Sequence, residues 1–456
     1  MELNKILESQ KKFFQTGATL DINFRIEKLK LLKEVIKGHE TELSAALKQD
    51  LGKSSFESFM CEIGLVLEEI SFMIKNIKKL STEKKVPTPL VNFASRSYTK
   101  PTPYGNTLII SPWNYPFLLT MGPLVDSIAA GNTAMIKPSK NSPATIQIMS
   151  KIIKTCFKED YVFLVDKDID KARDLIKQKF DFIFFTGSSS VGKEVLRNAA
   201  EHLTPVVLEL GGKSPCIVDK TANINLVAKR IVFGKFLNCG QTCVAPDYIL
   251  CQKSVLKDLQ RELCVQIEKQ YSIKPLKNAN YGKIINQKQF ERLLGLIEKD
   301  KVIIGGNSNK KTLQIEPTIM TNVSWQDKIM QEEIFGPILP ILTFDKIEEI
   351  INILNQKPKP LALYLFSNNK ENIKQITSRV QYGGGCINDT IIHLATTQMA
   401  FGGVGESGMG SYHGSQGFRT FCHTKSIVDK KNWIDFPVRY APYKEMFLKL
   451  LHLLLK

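Results

Sequence analysis

Two stretches decide the fold: Leu108-Ile109-Ile110-Ser111-Pro112-Trp113-Asn114-Tyr115-Pro116 and Gly131-Asn132-Thr133-Ala134-Met135-Ile136-Lys137-Pro138-Ser139-Lys140. The short apolar run 107–111 breaks on two prolines, which fix a rigid loop around Asn114. Residues 118–130 have the length and composition of a helix, and Gly131 closes it. A second apolar run, 133–136, ends in Lys137-Pro138-Ser139-Lys140. Strand, helix and strand at this spacing make a parallel crossover. The pattern then repeats. Pro143 opens a helix to about residue 156, 161–165 is a third strand, and 168–177 is a third helix. Residues 182–185 form a fourth strand, running into Thr186-Gly187-Ser188-Ser189-Ser190-Val191-Gly192-Lys193. The predicted class is α/β, with a parallel, doubly wound sheet. Ligands of such sheets bind beyond the carboxyl ends of the strands, so the three loops should converge on one ligand.

On the amino-terminal side, residues 4–80 read as helices. Phe24, Leu29, Leu32, Val35 and Ile36 recur at helical spacing, as do Ile63, Leu67, Ile70, Met73, Ile74 and Ile77. Pro87 and Pro89 end this region, and Lys75, Lys78, Lys79, Lys84 and Lys85 form its exposed basic face. On the carboxyl side the rhythm restarts at Pro205. Residues 206–210 are a strand ending in Gly211-Gly212, and 248–251 and 338–344 are further strands. Helices are expected at 256–270 and 287–299. This half reads as a second α/β domain, followed by a glycine-rich stretch at 401–410 and a strand at 421–428.

With 456 residues the chain exceeds one ordinary core, so two large domains are expected. Residues 1–16 are polar and Lys-rich, without the apolar core of a signal peptide. Nine cysteines, an odd number without framework spacing, indicate reduced thiols and a cytoplasmic location. The formal charge of +17 comes with no nucleic-acid module, so it is read as solvated lysine and no nucleic-acid partner is expected. No metal is expected either, because Cys239 and Cys243 have no His or Cys partners nearby. Residues 443–456 are apolar but fall short of the about 20 residues a membrane span needs. They predict a tail helix, with weak membrane-surface contact as the alternative.

Gly187 to Lys193 has the form G-x-x-x-x-G-K, nearly a phosphate-cradling loop, but Glu194 stands where a Ser or Thr would ligand magnesium. What remains is a glycine turn and a helix start, which suit a pyrophosphate. Leu237-Asn238-Cys239-Gly240-Gln241-Thr242-Cys243 presents a thiol behind a turn whose amides can stabilise the thiolate. If the preceding helix continues, Cys239 lies one turn from Cys243. Asn114 can donate to an oxyanion, or simply hold its turn. Glu209 can act as a general base, or bind nearby amides as a strand-end carboxylate.

Six motifs in order carry a resemblance to the aldehyde dehydrogenase family along nearly the whole chain. They are Pro112-Trp113-Asn114-Tyr115-Pro116, Phe185-Thr186-Gly187-Ser188, Leu208-Glu209-Leu210-Gly211-Gly212-Lys213, Gly240-Gln241-Thr242-Cys243, Glu333-Ile334-Phe335-Gly336-Pro337 and Phe401-Gly402-Gly403. Val244 to Tyr248 and Gly408 to Gly414 are similar to the class 3 branch, which acts on medium-chain, fatty and aromatic aldehydes. The resemblance implies a Rossmann-type cofactor domain over 1–207 and an α/β catalytic domain over 208–410. It implies a small β bridging arm, with strands at 95–103 and 421–428, the latter within a 411–456 bridging and tail segment. Catalysis would rest on Cys243 as nucleophile, Asn114 as oxyanion donor and Glu209 as deacylation base. Trp113, Lys137, Lys140, Gly187, Ser188, Gly192, Glu333 and Phe335 would hold NAD or NADP. The class 3 branch is dimeric, which implies a homodimer acting on a small-molecule aldehyde. A relative that transfers its acyl group to coenzyme A or another acceptor would keep Cys243 without needing Glu209. Many relatives carry Glu at the position of Lys140, so the second ammonium beside Lys137 predicts use of both cofactors.

Overall fold

A computed structural model describes residues 2–455 except Asp168 and Asp170. The strand–helix rhythm forms a six-stranded sheet in the order Gly408–Met409, Val206–Glu209, Phe182–Thr186, Asn106–Ile110, Thr133–Lys137, Val162–Leu164. Its five longer strands run parallel, and only Gly408–Met409 is antiparallel. Register brings the carboxyl ends level: Ile110 pairs with Lys137 and with Phe185, and Thr186 pairs with Glu209. The loops after these strands therefore open on one edge, as the doubly wound pattern predicts. The helix Leu118–Ala130 buries twelve of its residues, Leu119 to Ala130, behind this edge.

A second sheet of seven strands runs Val302–Ile304, Thr318–Met320, Ile338–Phe344, Tyr248–Gln252, Pro215–Val218, Ala362–Phe366, Gly384–Ile387. Except at Val302–Ile304 its neighbours pair in parallel, and its central strands are buried runs such as Ala362–Phe366. The arm is a separate antiparallel sheet of Lys84–Val86, Ser95–Pro103 and Cys422–Lys430.

The structure corrects several expectations. The third helix, expected at 168–177, is a 3-10 stretch at Lys171–Lys177, and Asp168 lies outside the described residues. Leu175 and Ile176 are adjacent and deeply buried there, which is not the spacing of a helical stripe. The helix begun at Gln287 ends at Leu294, before Gly295. The arm has a third strand, Lys84–Val86, where only a helix end was expected. The boundary expected between residues 207 and 208 cuts a strand that the first sheet takes whole, Val206–Glu209, paired with Thr186 at its end.

The tail forms a helix, Glu445–Leu454, with Met446, Leu450 and Leu453 exposed. No described helix is long and apolar enough to cross a membrane.

Candidate active site

Cys243 is presented by a distorted turn. The helix Ile224–Phe236 gives way to a 3-10 turn in which Asn238 and Cys239 adopt left-handed backbone, with φ of 50° and 53°. The helix does not continue through Cys239. Its sulfur packs instead against Gly282, and burial pushes the thiol up. Gly240 also has positive φ, and a Cβ there would lie 2.2 Å from the Gly336 carbonyl oxygen. Gln241 locks the turn: its side-chain amide donates to the carbonyls of Asn238 and Lys283, both at 3.0 Å, and accepts from the Ile285 N–H at 3.0 Å.

Cys243 stands between two cavities. One, of about 240 Å³, is walled by Trp113, Asn114, Gly187, Ser188, Glu209, Glu333 and Phe335. The other, of about 220 Å³, is almost wholly apolar, with Leu118, Leu119, Phe233, Ile391, Leu394 and Phe401 in its wall. Cys243 lines both. Desolvation, with Glu333 and Glu209 nearby, pushes its thiol up to about 12, against the N–H groups of Cys243 and Val244. The turn amides therefore do not hold a resting thiolate on their own, and deprotonation needs a base.

Asn114 is 3% exposed. Its Nδ2 donates to the Gln241 carbonyl at 3.0 Å, leaving one N–H for a ligand. Its own carbonyl accepts from Lys53 Nζ at 3.0 Å and Asn238 Nδ2 at 2.8 Å. Glu209, also 3% exposed, has no protein partner for either oxygen, and burial raises it well above the usual carboxylate range. Glu333 is pushed up to about 8 by desolvation and Asp247, against the Gly212 N–H, Lys213 and Arg292. Its loop is held from behind. Arg292 donates to the Ile334 carbonyl at 2.6 Å, and Asp247 accepts the Ile334 N–H at 3.0 Å. Lys213 joins Asp247 at 2.7 Å and the Glu332 carbonyl at 2.7 Å. Phe335, at φ 50°, meets Trp113 edge-on with ring centroids 5.5 Å apart.

Three expected cofactor contacts lie outside this cavity. Lys137 ends its strand half-buried and Lys140 is exposed beyond it, and neither lines the cavity. Gly192 serves packing, since a Cβ there would sit 2.7 Å from Leu210 Cδ2. Residues 445–453 do not line the apolar cavity. Sequence reading missed Arg292, Asp247 and Lys213, although the last two stand inside quoted motifs. It also missed Lys53, Glu57 and Glu62, which carry no motif signal.

The cavity fits a dinucleotide. Thr186 Oγ1 is buried without a protein partner. A Cβ on Gly211 would collide with Glu333 at 2.1 Å, and one on Gly187 would stand 2.7 Å from Phe185. Bare backbone at both positions makes room for Glu333 and Phe185. Ser188 N-caps the helix Ser189–Ala200, whose first amides suit an anion.

Comparison with known proteins gives one picture. The profile described as "Aldehyde dehydrogenase family" matches residues 1–427. The chain is 46% identical over 439 residues to 4,4'-diaponeurosporen-aldehyde dehydrogenase of Staphylococcus aureus, covering 96% of each chain. It is 41% identical over 443 residues to the dimeric NADP-preferring aldehyde dehydrogenase of Canis lupus familiaris, covering 97% of this chain and 98% of that one. Among solved structures, the substrate-bound state of Staphylococcus aureus AldH superposes with a TM-score of 0.97 at 44% identity. That match covers 100% of this chain and 99% of the other.

Proposed function

The chain belongs to the aldehyde dehydrogenase family and is an NAD(P)-dependent enzyme that oxidises aldehydes to carboxylic acids; we propose that Cys243 is its nucleophile, Asn114 its oxyanion donor and Glu209 its deacylation base. The observation that carries this is the place of Cys243, shared by an apolar cavity that suits an aldehyde and a polar one that suits the cofactor.

In the first step the Cys243 thiol gives its proton to solvent. The Sγ–C bond forms and the carbonyl π pair moves onto oxygen. The remaining Asn114 N–H and the Cys243 backbone N–H take that charge. Bound NAD(P) supplies the acceptor for the hydride that leaves the carbon, and Glu333 and Phe335 hold its nicotinamide end. Glu209 then removes a proton from water, the oxygen adds to the thioester carbon, and the C–S bond breaks to release the carboxylic acid and the thiolate. Glu209 suits this better than Glu333, because its two oxygens lack protein partners whereas Glu333 accepts the Gly212 N–H. A base in the wall beside Cys243 supports hydrolysis over transfer of the acyl group to coenzyme A.

The apolar cavity supports medium-chain, fatty or aromatic aldehydes as substrates. The dimeric relative supports a homodimer, and the reduced cysteines support a cytoplasmic location. Weak contact of the tail helix with a membrane surface is consistent with its exposed Met446, Leu450 and Leu453.

The test is Cys243→Ala assayed by absorbance of reduced cofactor with hexanal or benzaldehyde. No turnover is expected, with cofactor binding retained. Substantial aldehyde oxidation by this variant would overturn the assignment.

A further inference from the structure

Behind the Asn114 loop lies an ion pair with no exposure at all. Lys53 and Glu62 are both 0% exposed, and Lys53 Nζ meets Glu62 Oε1 at 2.5 Å. Stability alone does not call for such a pair, since apolar replacement of a buried pair is often neutral or stabilising. Among the described residues, its remaining hydrogen bonds and its ring contact fall on one short segment. Lys53 Nζ donates to the Asn114 carbonyl at 3.0 Å and stands 3.9 Å from the centroid of the Tyr115 ring. Glu62 Oε2 accepts the N–H groups of Phe117 at 2.8 Å and Leu118 at 3.1 Å. The pair therefore fixes Asn114, the residue after it and the start of the helix Leu118–Ala130. The Cys243 segment is tied to the same point. Asn238 donates to the Asn114 carbonyl, and its own N–H is taken by Glu57 at 2.9 Å.

We propose that Lys53 and Glu62 are positioning residues that set the Asn114 amide at the site of the developing oxyanion. This rests on the reading of Asn114 as oxyanion donor. Such a donor acts through placement, and an error of about 1 Å in placement costs about a hundredfold in rate. The pair does not touch the aldehyde. It determines where the donor stands when the Cys243 sulfur bonds to the carbonyl carbon and the π pair moves to oxygen.

Two rates separate this role from a merely structural one. The first is the pre-steady-state burst of reduced cofactor, which depends on the oxyanion donor. The second is alkylation of Cys243 by iodoacetamide, followed by mass spectrometry of its peptide. That displacement expels iodide and builds no oxyanion, so it reads only the thiol and its access. Both are measured in wild type, Asn114→Ala and the paired variant Lys53→Met/Glu62→Gln. The expected result is a burst slowed by about tenfold to a hundredfold in both variants, with alkylation of Cys243 unchanged. A normal burst in the paired variant, with a slow one in Asn114→Ala, overturns the proposal and leaves the donor intact. Equal losses in burst and alkylation overturn it too, because the pair then only shapes the cleft. A normal burst in Asn114→Ala overturns the donor reading and the proposal with it. If the paired variant does not fold, Lys53→Arg, which keeps the buried charge but changes its reach, is read by the same two rates. A slow burst with unchanged alkylation supports the proposal, and a normal burst overturns it.

Discussion

The two walls of the cleft around Cys243 are built on opposite rules. In the wall that carries Asn114, Lys53, Glu62, Asn114, Asn238 and Gln241 form one connected net, in which Asn238 Oδ1 is buried without a partner and one Asn114 N–H stays open for a ligand. In the wall that carries Glu209, buried polar atoms are left open. Both Glu209 oxygens and Thr186 Oγ1 have no protein partner. A bound group holds a geometry, and a buried open one costs stability unless a ligand or water completes it. The first wall fixes where charge will develop. The second keeps a base whose proton affinity is raised by burial, and so trades stability for reactivity.

The largest effect expected from breaking this contrast lies in the open wall. Glu209→Gln keeps size and polarity but removes the base. Steady-state turnover should fall by about 10²- to 10⁴-fold, the usual contribution of a positioned acid–base group. Formation of the first equivalent of reduced cofactor should survive, because the hydride leaves before water is activated. Stopped-flow absorbance checks both. Loss of the burst with slow turnover preserved would reassign the deacylation base, with Glu333 next in line.

A smaller effect concerns stability, and its sign follows from the raised proton affinity. A free Glu titrates near about 4.3. Glu209 in the fold titrates well above that value, so the folded chain holds a proton that the unfolded chain has lost. Its contribution is fully favourable below the unfolded value and is lost as pH rises toward the folded one. Glu209→Gln removes this dependence. Its Tm should match wild type near about pH 4 and exceed it near about pH 8, by about 1 °C for each kcal/mol relieved in a chain of this length. Calorimetry at the two pH values decides. A difference that does not grow with pH would mean that water or an unseen donor already completes Glu209. The sign is opposite for the chemistry: a thiol pushed up to about 12 must be deprotonated before it attacks, so the first step speeds up as pH rises.

How much of this was legible depends on what each residue buries. The strands Asn106–Ile110 and Phe182–Thr186 were legible because every position in them is buried, and their Leu, Ile and Phe runs say so. Lys84–Val86 was not, because all three residues are exposed and no alternation marks them. The residues that line the cofactor cavity came from motifs near the loops that carry them. The net behind Asn114 came from far away. Lys53 is 61 positions from Asn114, and Glu57 is 181 from Asn238. A Lys and two Glu within a helical region read as solvated charge, and only tertiary packing shows them buried. Gly192 presents the opposite case. Its place in a phosphate-loop pattern suggested a ligand, whereas its missing side chain makes room for Leu210.

The smallest expected effect tests how far the open wall extends toward the cofactor's ribose. The strand Thr133–Lys137 ends beside the cleft, and Lys140 follows, exposed, on the loop after it. Neither lysine lines the cavity next to Cys243, so neither bears on the chemistry directly. If these lysines meet the cofactor's ribose, a 2′-phosphate would add negative charge near them, and two ammonium groups would favour it where a Glu at position 140 would repel it. Exposure and salt limit the gain to about 1 kcal/mol, or severalfold in affinity. Both cofactors should therefore serve, with NADP at least as efficient as NAD. Lys140→Glu should lower kcat/KM for NADP severalfold while leaving that for NAD nearly unchanged. The loss should also shrink at high ionic strength, because an exposed charge pair is screened. A ratio of the two efficiencies that does not move with the substitution would place the ribose contact elsewhere. The recognition of the cofactor's distal end would then belong to the helix start at Ser188–Ser190 and not to the loop after Lys137.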